Sequence, residues 1–469
     1  MVIGVFDMKY KFSTLLLFII IEVFLFKDQA ELQFLFSIVE YLFVIFCYAR
    51  NKKLGILYFV TFTLLCMGEW SYVINESPPY NFYGLRIAGF SVNILTSLVL
   101  FIDVLISNKK KLKNFAYIKK FKWIFFYIFF IFIVGLINLM SAKNYFDNFI
   151  SDIFTYLPLI LYVYLISVID LQSLMKLVKY CISVTVISYV LSYITNTKFA
   201  YFEGQEFLLM NAFSFIVPFA VYFLKDLYSK KIYYLQIIIV SFFILTGQIF
   251  ISGKFIFIFI LVILWFISKT KYKLIIYSSL IVLSFFTKPI LETVKDNFSS
   301  SVVISWKIQQ VEEGILAIGS GSSEVEGSFG NLFNEGRAIL DYFDKNNIAL
   351  FTGKGMGGGV PDTFNKLAPL AGNSGYALQD RDRNDYFVMH LSILDLFLKA
   401  GVIWLSLFLF FLFKQFNNIK IFGFITFVLL FTVFYTSKEM MLLTVIFYSI
   451  SLYTMDNNKE KNKKIINEK

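Results

Sequence analysis

Charge is scarce in this chain. Asp, Glu, Lys and Arg together supply 16% of 469 residues, against about 25% in soluble domains. A soluble protein of this length needs a polar surface that these residues cannot cover, so that class is excluded. Cysteine occurs three times, at Cys47, Cys66 and Cys181, each within an apolar run. Their positions give no disulfide framework and no thiolate metal site, so neither a metal nor a cofactor is expected. No P-loop occurs, which argues against direct ATP drive. Histidine occurs once, as His390, and all arginines but Arg50 and Arg86 fall between residues 288 and 389.

What the chain does have is apolar length: 58% of residues are hydrophobic, 20% are aromatic, and the mean hydropathy is +0.71. Apolar runs recur from end to end, bounded by polar residues. They predict spans near 12–26, 32–48, 54–74, 87–106, 123–140, 153–169, 180–194, 207–224, 235–251, 255–268, 274–287, 391–413, 421–435 and 440–455. The expected fold is an all-α, polytopic transmembrane helical bundle of about fourteen spans, twelve to fourteen being compatible with the pattern. One long extracytoplasmic loop containing short helices, 288–389, interrupts it, and a basic tail, 456–469, ends the chain.

Lys9 and Lys11 precede the first apolar run, and Lys27-Asp28-Gln29-Ala30-Glu31 follows it. Without a small-x-small cleavage pattern, this reads as an uncleaved first span. The net charge of +11 lies in short runs between spans, which is a topology signal rather than a nucleic-acid footprint. With the N-terminus inside, alternate links are basic and hold 27 of the 43 Lys and Arg residues. That bias places both termini in the cytoplasm and the long loop outside.

Within the loop, Ile304–Leu316 has helical apolar spacing, and Gly319–Gly330 reads as irregular. Asn334–Asn347 reads as a helix with Arg337, Asp341 and Lys345 along one face. The run Gly353–Gly359 (GKGMGGG) breaks it, and Pro361 to Asp385 reads as connecting loop. GKGMGG fits a dinucleotide fingerprint by letter, but no strand precedes it and no suitably placed acidic partner follows, so that reading is rejected. Its glycines suit a tight turn or a close backbone approach to a sugar or phosphate.

His390, at the junction of loop and span, is a candidate general acid or base, the alternative being an interfacial His satisfied by backbone. Arg337, Arg381, Arg383 and Lys254 are candidate phosphate-binding cations. For Arg381 and Arg383 pairing with Asp380, Asp382 and Asp385 is favoured; for Arg337 and Lys254 function is favoured. Inside the spans, Glu22, Glu40, Asp103, Asp395 and Lys399 are costly if they face lipid, although several lie near span ends where water relieves the cost. Asp395 and Lys399, one turn apart, are placed to neutralise each other. These carboxylates also fit a proton-coupled transporter.

Three pieces, in order, resemble the O-antigen polymerase (Wzy-type) and O-antigen ligase family over 246–413, about a third of the chain. The first is Leu245–Lys254 (LTGQIFISGK), like a span ending in Ser-Arg at the outer face, with Lys254 in place of Arg. The second is Asn334–Leu340 (NEGRAIL) followed by Leu350–Gly357 (LFTGKGMG), like an Arg-bearing loop helix leading to a Gly-x-Gly turn. The third is His390 with Gly401 eleven residues later. Leu391 stands where ligases carry a small polar residue, and Trp404 where they prefer Gly, Thr or Tyr, which tilts the resemblance towards polymerase. The polymerase spacing of Arg, ten residues, then Gly is not met, since residue 348 is Ile.

The resemblance implies metal-independent, inverting glycosyl transfer in the bacterial cytoplasmic membrane, on undecaprenyl-pyrophosphate-linked oligosaccharide. Arg337 and Lys254, with Arg381 or Arg383, would hold the pyrophosphate, and His390 would deprotonate the acceptor. Beyond the lipid bilayer, a chain-length regulator protein is the partner it suggests, and nucleic acid is not. A ligase, or a transporter or flippase for the same lipid-linked sugar, stays open beside the polymerase.

Overall fold

The computed structural model describes residues 10–26, 29–66, 80–82, 84–87, 90–107, 118–197, 200–202, 205–207, 211–217, 229–245, 327–364, 367, 376, 378–387, 389, 391–416, 425–426, 429–430 and 438–467. The expected spans at 255–268 and 274–287, the Ile304–Leu316 segment, and most of those at 207–224 and 421–435 lie outside the described residues.

The chain is an all-α membrane protein. Five described helices are long and apolar enough to cross a bilayer: Ala30–Arg50, Lys119–Met140, Phe146–Ile166, Leu171–Ile194 and Ser392–Phe411. Phe12–Leu25 and Val92–Ser107 are shorter apolar helices. We label α1 Phe12–Ile19, continued by a π-helical turn Ile20–Leu25, then α2 Ala30–Arg50, α3 Lys52–Leu65 and α4 Val92–Ser107. There follow α5 Lys122–Met140, α6 Phe146–Ile166, α7 Leu171–Ile194 and α8 Lys230–Leu245. The polar insert contributes α9 Gly327–Lys345, α10 Asn347–Thr352 and α11 Leu378–Arg383; α12 Ser392–Phe416 and α13 Lys438–Asn467 complete the set.

Helix α3 is central: every residue from Leu54 to Leu65 is buried, and α2, α7 and α13 pack around it. Asn51 alone links α2 to α3, its side chain accepting from Leu54 N–H at 3.2 Å as an N-cap. Outward-facing helices expose large apolar side chains, among them Leu42 on α2, Val99 on α4 and Phe129 on α5. In water such faces would be a liability; in lipid they are the expected solvent contact.

Among the described residues, polar contacts join the helix ends near residues 50–53, 103–107, 120 and 170. Lys52 pairs with Asp103 of α4 at 2.5 Å, and Lys53 pairs with Asp170, the N-cap of α7. Tyr453 of α13 donates to Ile169 O at 3.3 Å, and Tyr448 donates to Lys120 O at 3.2 Å.

Several boundaries move. The span expected from 153 is helical from Phe146, and that expected from 180 is helical from Leu171. Arg86–Ile87 pairs antiparallel with Phe90–Ser91, so that helix begins only at Val92. Residue 207 ends a second hairpin, Ala200–Phe202 with Gln205–Phe207, and a single 3-10 turn, Ala212–Phe215, follows instead of a span start. The tract expected to be irregular to Gly330 is helical from Gly327, and residues 378–383 are helical rather than loop.

Candidate functional site

Helix α9 carries Arg337. Its buried residues recur at four-residue spacing (Asn334 and Glu335, then Ala338 and Ile339, then Phe343), which fixes one face inward. That face joins Val360, Leu367, Tyr376, Tyr386, Met389 and Leu398 in a second core, separate from the main bundle core. Tyr376 donates to Glu335 Oε1 at 2.5 Å, tying the helix to the chain after the glycine run. Arg337 lies at the edge of this face, half-buried, with its guanidinium 4.1 Å from the centre of the Phe364 ring. Among the described residues it has no ion-pair partner. It lines a hollow of about 470 Å³ with Leu332, Phe333, Gly336 and Leu340, of which Phe333 and Leu340 are exposed.

The glycine run makes a tight turn, Gly358 N–H donating to Gly355 O at 3.2 Å, and comes close to other backbone of the protein. Gly401 interrupts α12 with φ 69° and ψ −178°, a conformation essentially confined to glycine. The break deprives carbonyls of the preceding turn of their helical donors. Loop groups replace them: Lys354 N–H donates to Leu398 O at 2.9 Å and Gly355 N–H to Lys399 O at 2.9 Å, while the Tyr127 hydroxyl donates to Leu396 O at 2.9 Å. On the other side, Met356 N–H donates to Ile131 O of α5 at 2.8 Å. Asn144 Nδ2 donates to Lys354 O at 2.9 Å and Met356 O at 3.0 Å, and Asn138 Nδ2 to Lys354 O at 2.9 Å. A Cβ on Gly355 would overlap the backbone of Gly135. The close backbone approach is therefore to the protein's own α5 and α12.

A buried charge cluster clamps the same loop. Lys399 Nζ lies 2.7 Å from Asp152 Oδ1 and 3.0 Å from Asp395 Oδ2, with all three side chains fully buried. The second Asp152 oxygen accepts from Gly357 N–H at 2.5 Å. The expected Asp395–Lys399 pairing is present; Asp152 of α6 is the partner that the sequence reading missed. Glu22, Glu40, Asp395 and Lys399 are enclosed by neighbouring helices rather than relieved by water near span ends. Asp103 alone of that group is partly exposed, against Lys52.

Lys354 is buried as well, donating to Gly359 O at 2.6 Å with Asp385 Oδ1 at 3.7 Å. Burial pushes its ammonium below the ordinary lysine value, and Asp385 pulls it back. Burial pushes the Asp385 carboxyl up, and Lys354 opposes that shift.

The other candidate cations are placed as follows. Arg383 donates to Asp147 at 3.0 and 2.8 Å and lies over Tyr145, so its partner is on α6 rather than among the neighbouring aspartates. Arg381 is exposed, with Asp382 at 3.6 Å. His390 and Lys254 lie outside the described residues, although Met389 and Ser392, which bracket His390, are buried. Of the candidate cations favoured for function, Arg337 is thus the one among the described residues. No protein-family model, curated protein or solved structure matches this chain.

Proposed function

We propose that the protein is a glycosyltransferase of the cytoplasmic membrane that polymerises undecaprenyl-pyrophosphate-linked oligosaccharide repeat units at the outer face. In this reading the bundle has about fourteen spans, both termini are cytoplasmic, and residues 288–389 are extracytoplasmic. The observation that carries the reading is Arg337. It is a half-buried guanidinium without an ion-pair partner among the described residues, and it stands beside exposed Phe333 and Leu340. A lipid-linked pyrophosphate presents the matching pair of features: an anion for the fork and an apolar chain for the strip.

In the proposed reaction an acceptor hydroxyl oxygen attacks the anomeric carbon opposite the pyrophosphate. The carbon–oxygen bond to phosphate breaks as the new glycosidic bond forms, so the anomeric centre inverts. The hydroxyl proton passes to His390, and the leaving electron pair goes to the pyrophosphate, held by Arg337 and Lys254. Arg381 and Arg383 would first have to leave their aspartates. Pyrophosphate is already a good leaving group, so the scheme calls for no nucleotide.

The test is elongation in proteoliposomes holding purified protein and the lipid-linked repeat unit from its own source. The reading predicts a ladder of longer glycans with release of undecaprenyl pyrophosphate, lost in Arg337→Ala. Transfer of preformed long glycan to a lipid acceptor would indicate a ligase. Movement of the intact lipid-linked unit without bond exchange would indicate a flippase. That last reading draws on the buried Asp152, Lys399 and Asp395, since transporters place charged side chains inside the bundle.

A further inference from the structure

We propose that Glu22, Glu40 and Cys66 bind a single divalent transition-metal ion of the zinc class, in a site independent of the glycan chemistry above. The cysteine spacing pointed away from a thiolate metal site because it counted cysteines alone; the fold supplies carboxylates from two other helices. Glu22 comes from the π-helical turn after α1, Glu40 from the middle of α2 and Cys66 from the C-terminal end of α3. A π-turn inside an α-helix often marks a functional position, and here it coincides with an inward-facing carboxylate.

One ligand atom from each residue lies within 4.8 Å of the other two. An ion with bonds of about 2.0–2.3 Å to oxygen and sulfur holds such atoms roughly 3.3–3.8 Å apart, so small side-chain adjustments suffice. All three residues are buried, Glu22 and Glu40 completely. Glu22 already has partners, accepting from Phe82 N–H at 2.7 Å and from Cys66 Sγ at 2.8 Å. Glu40 has no donor group among the described residues, and its carboxyl lies against that of Glu22, the two sharing a proton when no ion is present. Two adjacent carboxyls in an apolar interior cannot both ionise without a counter-charge.

A cation would supply that counter-charge. Binding would release to water both the Cys66 thiol proton and the proton shared by the two carboxyls, leaving thiolate and two carboxylates around a doubly charged ion. Either glutamate, turning bidentate, completes four-coordination. The residual single negative charge would rest partly on the Phe82 N–H. The mixed sulfur and oxygen set favours zinc-like ions over calcium or magnesium, which prefer oxygen alone.

The test uses the full-length protein, purified in detergent, with Cys47→Ser and Cys181→Ser so that Cys66 is the sole thiol. Titration with Co2+ should produce a thiolate-to-cobalt charge-transfer band, and elemental analysis should find a single ion per chain. Glu40→Gln should weaken binding by more than the roughly 10–100-fold typical of an outer-shell ligand partner. Adding Cys66→Ser should abolish the band. A folded sole-thiol protein that gives no band would overturn the proposal and leave the two glutamates as a proton-sharing pair. Equal cobalt uptake with and without Cys66 would overturn it too. If the Cys66→Ser protein does not fold, the band in the sole-thiol protein decides alone.

Discussion

Lys399 Nζ of α12 lies 2.7 Å from Asp152 Oδ1 of α6, although the two residues are 247 positions apart in sequence. The contact joins the helix after the polar insert to one in the first half of the bundle, and Asp152 also holds Gly357 N–H. The glycine loop is thus fastened to the membrane helices by charge as well as by backbone. Losing one partner of a buried ion pair costs about 3–5 kcal/mol, because the other charge is left uncompensated. We expect Lys399→Met to lower the melting temperature in detergent sharply. Asp152→Ala together with Lys399→Ala should destabilise by less than the sum of the singles. Strict additivity would show that the pair is not coupled.

Gly401 should tolerate no side chain. Its φ of 69° carries a strain of about 1–3 kcal/mol for other residues. An added Cβ would also sit 2.6 Å from Gly353 N. Gly401→Ala is expected to destabilise the protein and to expose the loop to limited proteolysis near residue 354. Unchanged stability would mean that α12 accommodates the substitution by straightening.

Asn144 bridges two loop carbonyls. Asn144→Ala leaves both without that donor and should cost roughly 1–3 kcal/mol, while Asn144→Asp, which cannot donate, should fare no better. Thermal unfolding of both variants in one detergent checks this. A neutral Asn144→Asp would show that water replaces the amide.

The Asp385 carboxyl is raised by burial, so its proton is held more tightly in the folded protein than in the unfolded chain. Its contribution is therefore present below the ordinary carboxylate range and is lost as pH rises through the folded value. Asp385→Asn, which cannot ionise, should gain stability relative to the native protein as pH rises above the ordinary carboxylate range of about 4. A difference in melting temperature that does not change with pH would contradict the assignment.

Composition and hydropathy made the membrane class legible, because nothing else uses this much apolar length. The α9 helix and the Asp395–Lys399 pair were legible too, since both follow from spacings within one helix. Asp152 was not. It sits in a polar stretch with Asp147 and Asn148 that looks like a span boundary, yet it is inside α6 and its partner is distant in sequence. The glycine run was legible as a tight turn, but not its neighbours: composition shows that a backbone must come close to something, and only the fold shows that Gly135 and Lys399 are what it meets. Glu22, Glu40 and Cys66 were each visible as residues in apolar runs, but their convergence depends on how α1, α2 and α3 pack.

The most direct test of the functional account is the size distribution of surface glycan in a source strain lacking this protein, complemented with native protein or with Arg337→Ala at equal membrane levels. The account predicts long polymer with the native protein and a single capped repeat unit with Arg337→Ala. Polymer of native length from the Arg337→Ala strain would contradict it.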